Sequence, residues 1–407
     1  MGFLSGETVR SSIVIKEWSG LTGAGRAAIA RAFPVVVFLV AGCSGLHLDR
    51  PLRPGENDWV TEGGSPLRVN ATALSVVPPL EIVWEYNAQG GIRTNPLVRD
   101  SVVLVTTSHG ELQAVNLTNG KRLGYRTVEA AVHGTPVLDG LNVFVATARG
   151  SETLHLISLR DGRTIWKLDL GPIESAPLLA GDNLYVTTLE GKVYCVSRAE
   201  GEIVWKFVRG EEERIKPFRS SPAANADLLV FGSDDGMLYA VDLHRGILRW
   251  QASTGGSVFA GPVIAGSRVY VGSLSGTFFA FDVATGAEAW RFDTGAPIYG
   301  AAAASHTAVY VGSSNGALYS FDPESGNLNW KFESRSVINS PPLVAGDLLY
   351  VGSMDRTLYV LDSSSGSEVW SFKAPGRIKV TPVLWGEYLL VTSEDKYITA
   401  LKPNGSR

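Results

Sequence analysis

The stretch "VYVGSLSGTFFAFDVATGAEAW" at residues 269–290 recurs forty residues on as "VYVGSSNGALYSFDPESGNLNW", and again as "LYVGSMDRTLYVLDSSSGSEVW". Aligned on the aromatic residue that ends each unit, Trp84, Tyr125, Trp166, Trp205, Trp250, Trp290, Trp330 and Trp370 are spaced by 41, 41, 39, 45, 40, 40 and 40 residues. A period near 40 with strand-like content predicts the four-stranded blades of a β-propeller. Each unit holds a Pro-containing segment such as "AGPVIAG", then "RVYVGS", whose alternation is that of a half-buried strand, then "TFFAFD" and "AEAWRF".

The turn before the last strand has a chemical logic. Asp242, Asp282, Asp322 and Asp362 can accept hydrogen bonds from amides two and three residues on, and Asn116, Ser158 and Ser197 can do the same more weakly. Gly246, Gly286, Gly326 and Gly366 can take the left-handed conformation that closes the hairpin. The tryptophan is expected to fill the wedge between adjacent blades, with its indole N–H on a backbone acceptor. After Trp370 the chain supplies three strands and stops, while "LEIVWEY" at 80–86 is a fourth strand with no first three before it. Joining the two predicts an all-β, eight-bladed propeller of four-stranded antiparallel blades. The N-terminal strand would close the ring on the last blade and remove the open end of a linear array.

Upstream of the repeats the chain changes character. Residues 32–42, "AFPVVVFLVAG", are too short an apolar run to span a bilayer and have the length of a signal-peptide core, with Arg26 and Arg31 before it. The run ends in "LVAGC", which is similar to a bacterial lipobox; a general secretory signal followed by an incidental cysteine is the other reading. Residues 1–42 are therefore read as a lipoprotein signal peptide and Cys43 as the lipidation site. Thioether-linked and N-linked acyl chains together anchor stably. Ser44, in place of an aspartate, resembles lipoproteins sent to the outer membrane. Residues 43–79, rich in Pro, Gly and charge, read as a tether, with Trp59 as an exception that can dock on the body. The propeller is assigned to 80–407.

The formal charge is −4, and residues 1–42 carry four cations against two anions, so the mature charge is −4 − 2 = −6. An acidic body argues against nucleic acid, which needs clustered Lys and Arg. Cys43 and Cys195 make no disulfide framework, and Cys195, in "KVYCVSRAEG", reads as a buried strand residue. The six histidines, His47, His109, His133, His155, His244 and His306, fall at different places in the repeats and form no metal-binding motif.

The D-x-x-x-G-x-x-x-W unit closely resembles the tryptophan-docking repeat of the PQQ-like β-propellers, over roughly residues 80–407. The resemblance is specific for the fold and not for a cofactor. One branch comprises quinoprotein dehydrogenases, which hold pyrroloquinoline quinone and calcium and carry a vicinal disulfide; this chain has no adjacent cysteine pair and no C-x-x-C-H. The other branch is the BamB lipoproteins of the outer-membrane β-barrel assembly machinery, which the chain resembles in its eight blades, lipobox and short tether. That resemblance implies a non-enzymatic scaffold without a cofactor, lipid-anchored on the periplasmic face of the outer membrane, with a BamA-like insertase or another envelope complex as partner. A PQQ-dependent dehydrogenase-like or ligand-sensing propeller is the alternative.

Function is expected where the repeats differ, since shared positions serve the fold. The residue three before the Pro of the first strand is Arg93, His133, Glu174, Arg219, Phe259, Tyr299, Asn339 and Lys379 in successive blades, with Tyr299 placed by alignment. These residues should ring one mouth of the central channel, either as a wet rim that tolerates any polar group or as a grip for a partner. The second departure is length. Trp205 to Pro222 is 17 residues where other blades take 11 or 12, and the extra residues lie in "RGEEERIKPFR" at 209–219. In the BamB branch a loop at a comparable place meets a POTRA domain of the insertase. By that resemblance Glu211, Glu212, Glu213, Arg214, Ile215, Phe218 and Arg219 become partner-binding candidates, with Ile215 and Phe218 as apolar anchors. A solvated charged loop is the other reading.

Overall fold

The computed structural model describes residues 45–48, 50–128, 130–209 and 216–405. These residues form eight four-stranded antiparallel sheets, the successive blades of a β-propeller. Blade 5 is representative. Val263–Ala265 is innermost, followed outward by Arg268–Gly272, Thr277–Asp282 and Glu288–Asp293. Blade 8 is completed across the termini: Leu80–Asn87 pairs antiparallel with Tyr397–Pro403, Trp84 opposite Ala400. The ring therefore closes by backbone hydrogen bonds between the two ends of the repeat array.

The second strand differs from its expected half-burial. Val102–Thr106 is buried at every position, because each blade lies face to face between two neighbours and has no wet face at that radius. Only the outermost strand alternates; in Glu288–Asp293 Trp290 points in while Glu288, Arg291 and Asp293 are exposed.

The repeated motif explains how neighbouring blades are pinned. Asp282 Oδ1 accepts from the amides of Ala284 (3.2 Å) and Thr285 (2.9 Å), which shapes the turn. Gly286 then sits at φ +72°, and a Cβ there would come within 2.6 Å of the Trp250 ring of the preceding blade. Trp250 Nε1 donates to Val283 O at 2.9 Å, and Trp290 Nε1 donates to Pro323 O at 3.0 Å one seam further on. The acceptor is in each case the carbonyl one residue after the turn Asp, so one hairpin supplies both the flat floor and the acceptor for the neighbour's indole.

Blade 1 corrects the sequence alignment. Strand pairing sets Trp205 opposite Cys195 and Gly124 opposite Ala114, so the docking position of blade 1 is Gly124 and not Tyr125. A Cβ on Gly124 would meet Gly45 O at 2.8 Å and Leu46 Cα at 3.1 Å. The N-terminal segment thus occupies the slot an indole fills elsewhere. Leu46 is buried, its carbonyl lies against Gly162, and Leu48 N–H donates to Leu159 O at 2.9 Å. Leu159 follows Ser158 of the turn, so its carbonyl is the equivalent of the indole acceptors in the other seams.

Residues 45–48 and 50–79 are a strap and not a free tether. Trp59 exchanges backbone bonds with Val98 of blade 1 (2.9 and 2.8 Å). Val60 O accepts from Leu138 of blade 2, Pro66 O from Ala224 of blade 4, Leu67 O from Ile264 of blade 5, Val69 O from Ala304 of blade 6 and Asn70 O from Val344 of blade 7. Ala71–Thr72 then adds a parallel fifth strand to blade 7. Arg68, 1% exposed, reaches the remaining gap: Nη2 donates to Ala176 O (3.1 Å) and Pro177 O (3.3 Å) of blade 3, and Nε donates to Pro222 O beside blade 4. Trp385 of blade 8 meets Asp58 at 3.5 Å. The innermost strands of a propeller leave backbone groups facing the channel, and buried backbone groups demand partners. The strap supplies them in turn around the ring.

Candidate functional site

The blade architecture creates two unlike faces. The turns between strands one and two lie beside those between strands three and four, as Val283 N–H donating to Ser267 O (2.9 Å) shows. The strap runs on this face, where Arg50 Nη2 donates to Ser101 Oγ at 2.8 Å. The opposite face carries the turns between strands two and three together with the blade-to-blade connections, joined by bonds such as Val258 N–H to Ser233 O (3.0 Å).

On that opposite face the mouth residues meet one another. Each follows a fully buried apolar residue (Ile92, Val132, Ile173, Phe218, Val258, Ile298, Ile338 and Ile378), which forces the next side chain outward. His133 Nδ1 lies 3.6 Å from Glu174, and Glu174 accepts from Arg219 Nη1. Arg219 stands 5.7 Å from the Phe259 ring centre, and Phe259 meets Tyr299 edge-on at 6.2 Å. An unbroken arc therefore crosses blades 2 to 6. Asn339 Oδ1 accepts from Ser314 (3.2 Å), Lys379 pairs with Glu394 (2.8 Å), and Arg93 is exposed.

Two acidic groups outside those eight positions also hold mouth residues, Asp234 within the arc and Glu394 apart from it on blade 8. Arg219 Nε donates to Asp234 Oδ2 at 3.0 Å, and Glu394 holds Lys379. Both sit in the turn between strands two and three, where other blades place residues such as Leu274 and Ser314. Comparison of that turn across blades carries the signal that finds them. Burial raises the Asp234 carboxyl above its ordinary value, against the opposing pull of Arg219. Burial also disfavours the Arg219 cation, but its bonds to Asp234 and Glu174 outweigh this and raise it.

The structure divides the long-loop candidates. Glu211, Glu212, Glu213, Arg214 and Ile215 lie outside the described residues, as does Cys43. Arg209 is held by Asp235 and stands 5.7 Å from the Tyr239 ring centre. Phe218 is 1% exposed and packs on Phe231 (5.0 Å) and Tyr239 (5.9 Å), so it is a core residue and not an anchor for a partner. Its position in the repeat, aligned with Ile92 and Val132, dictates this. Arg219 belongs to both the loop and the arc, so the loop ends on the mouth. Among the described residues no three metal-ligating side chains cluster.

Eight PQQ-like blades, one mouth strapped and the other carrying an ionic and aromatic arc, define a PQQ-like β-propeller. The sequence model of the family described as "Outer membrane protein assembly factor BamB" matches residues 127–332 and 315–407, and the chain belongs to that family. A curated relative, the outer membrane protein assembly factor BamB of Shewanella oneidensis, is 24% identical over 190 residues, 42% of this chain and 46% of the relative. The chain thus matches about half of that relative's length. Among solved structures, BamB from Moraxella catarrhalis superposes with a TM-score of 0.68 at 18% identity, covering 79% of this chain and 99% of that one. The quinohemoprotein alcohol dehydrogenase ADHIIG from Pseudomonas putida superposes with a TM-score of 0.75 at 14% identity, covering 86% and 81%. At such identities both likenesses speak to fold alone.

Proposed function

We propose that the chain is a non-enzymatic scaffold of an outer-membrane β-barrel assembly machinery, anchored through Cys43 and facing the periplasm. The observation that carries this reading is the arc from His133 to Tyr299, which gathers the Glu174–Arg219 ion pair, the His133 imidazole beside it and two aromatic rings at the end of the longest inter-blade loop. Such a surface suits an insertase domain of BamA type: Arg219 and Glu174 offer charge-assisted bonds and the rings offer apolar area. The outer strands expose Ile203, Val204 and Val208 on blade 3, which suits strand addition at a blade edge. Cys43→Ala releases the protein to the soluble fraction in high salt on this reading.

The test is co-purification from envelopes. Glu174→Ala with Arg219→Ala, and separately Glu213→Ala with Arg214→Ala, should lower recovery of the insertase several-fold. Undiminished recovery from both removes this face from the reading. The competing reading is a PQQ-dependent dehydrogenase-like or ligand-sensing propeller, which shares the fold. Titration with pyrroloquinoline quinone and calcium, followed by tryptophan fluorescence, separates the two, and stoichiometric tight binding sinks the scaffold.

A further inference from the structure

The described chain begins where the docking tryptophan of blade 1 is missing. Gly45 lies on Gly124, and Leu46 lies on Gly162. Gly45 is two residues on from Cys43, a reach of at most about 7 Å. An acyl chain on Cys43 would therefore hold the seam of blades 1 and 2 close to the bilayer, on the strap face.

The surface at that exit differs from the rest of the molecule. Lys121 and Arg122 flank the start of the strand that holds Gly124, and Arg160 and Arg163 flank Gly162; all four are exposed. Arg126 bridges the two sites, donating to Gly162 O and to Thr164 Oγ1 (2.9 Å). With Asp161, which sits 3.6 Å from Arg163, the local charge is 5 − 1 = +4, in a chain whose total is −4. Leu123, 42% exposed, stands within this cluster.

We propose that this patch is a membrane-docking surface for the phosphate headgroups of the leaflet that holds the anchor. Clustered Lys and Arg beside an inserted acyl chain bind an anionic surface, and an exposed leucine adds apolar contact. The propeller then sits strap face down, and the arc faces away from the bilayer toward a partner. The proposal rests on the acylation of Cys43, and residues 45–48, seated in the seam, give the anchor a short reach.

The full lipidated chain, reconstituted in phosphatidylethanolamine–phosphatidylglycerol vesicles, tests this. A fluorophore is placed at Arg163→Cys or, on the other face, at Asp395→Cys. Native Cys195 is buried and burial pushes its thiol up to about 11, so it does not compete for the label. A headgroup-borne quencher should quench the first label and spare the second. Equal quenching of both, in protein whose mass shows acylation, overturns the docking surface and leaves the anchor standing. The Cys43→Ala form separates the terms: it should co-sediment with these vesicles in preference to phosphatidylcholine vesicles at low salt. Arg122→Glu with Arg160→Glu and Arg163→Glu should weaken that binding by roughly tenfold or more. An absent acyl mass with the vesicle preference retained overturns the anchor but supports the surface. No vesicle preference, together with charge-dependent crosslinks from residue 163 to an envelope protein in cells, assigns the patch to an acidic protein and overturns the proposal.

Discussion

At the residue scale, one glycine serves two constraints. Gly286 combines φ +72° with an indole 2.6 Å from where a Cβ would lie, whereas Gly266 has φ +57° and nothing within 4 Å. Gly286→Ala should therefore cost about 2–4 kcal/mol, strain plus overpacking, and Gly266→Ala only about 1 kcal/mol. Urea unfolding midpoints of the two variants measure the difference, and equal losses would remove the indole from the account. The turn aspartates make a second prediction. Hydroxyl and amide donors from Ser364 and Ser365 hold the Asp362 carboxyl down to about 2, and Asp242, Asp282 and Asp322 are also lowered. A carboxylate lowered on folding stabilises the native state above its ordinary pKa of 3.8 and loses that contribution as pH falls toward the folded value. Stability should be insensitive to these groups at neutral pH and should decline from about pH 4 toward pH 2. Thermal melts of Asp362→Asn should show a shallower acid slope. Asp, Gly and Trp at fixed offsets were legible in the sequence because each acts within one hairpin or its neighbour.

At the element scale, the strap and its N-terminal extension behave as parts of the fold. Leu46→Ala should cost about 2–5 kcal/mol, since it empties a seam. Adding Gly124→Trp to Leu46→Ala should recover part of that loss by restoring the usual dock, while Gly124→Trp alone should expel residues 45–48 and raise their protease sensitivity. Arg68→Met leaves the carbonyls of Ala176, Pro177 and Pro222 without their donor and should cost about 3–5 kcal/mol. Calorimetry of the variant measures this; an unchanged melting temperature would mean that water replaces the guanidinium without penalty. None of this was legible from composition. A segment rich in Pro, Gly and charge resembles a linker when its partners are unseen, and the strap's partners lie as far as 327 residues away in sequence.

At the scale of the whole molecule, closure joins Leu80–Asn87 to Tyr397–Pro403. Truncation after residue 396 should therefore leave blade 8 open and replace a single unfolding transition by a broadened one at lower temperature, read by circular dichroism. The two faces part the work: the strap face seats the N-terminal end, and the far face gathers the arc. Sequence alone determined the number of blades, the hairpins, the seam chemistry and the closure, because a repeat encodes each contact many times and period survives without coordinates. It also gave the variable residues one repeat position, since a fixed offset within the repeat is the same place in each blade. Tertiary structure decided what occurs once. It placed Phe218 in the core, showed Gly124 as the vacated dock, brought Asp234 to the arc and Glu394 to Lys379, and turned a tether into a strap. Those contacts depend on a closed ring bringing distant backbone groups to one channel, and no local pattern records a partner that exists only after the ring has formed.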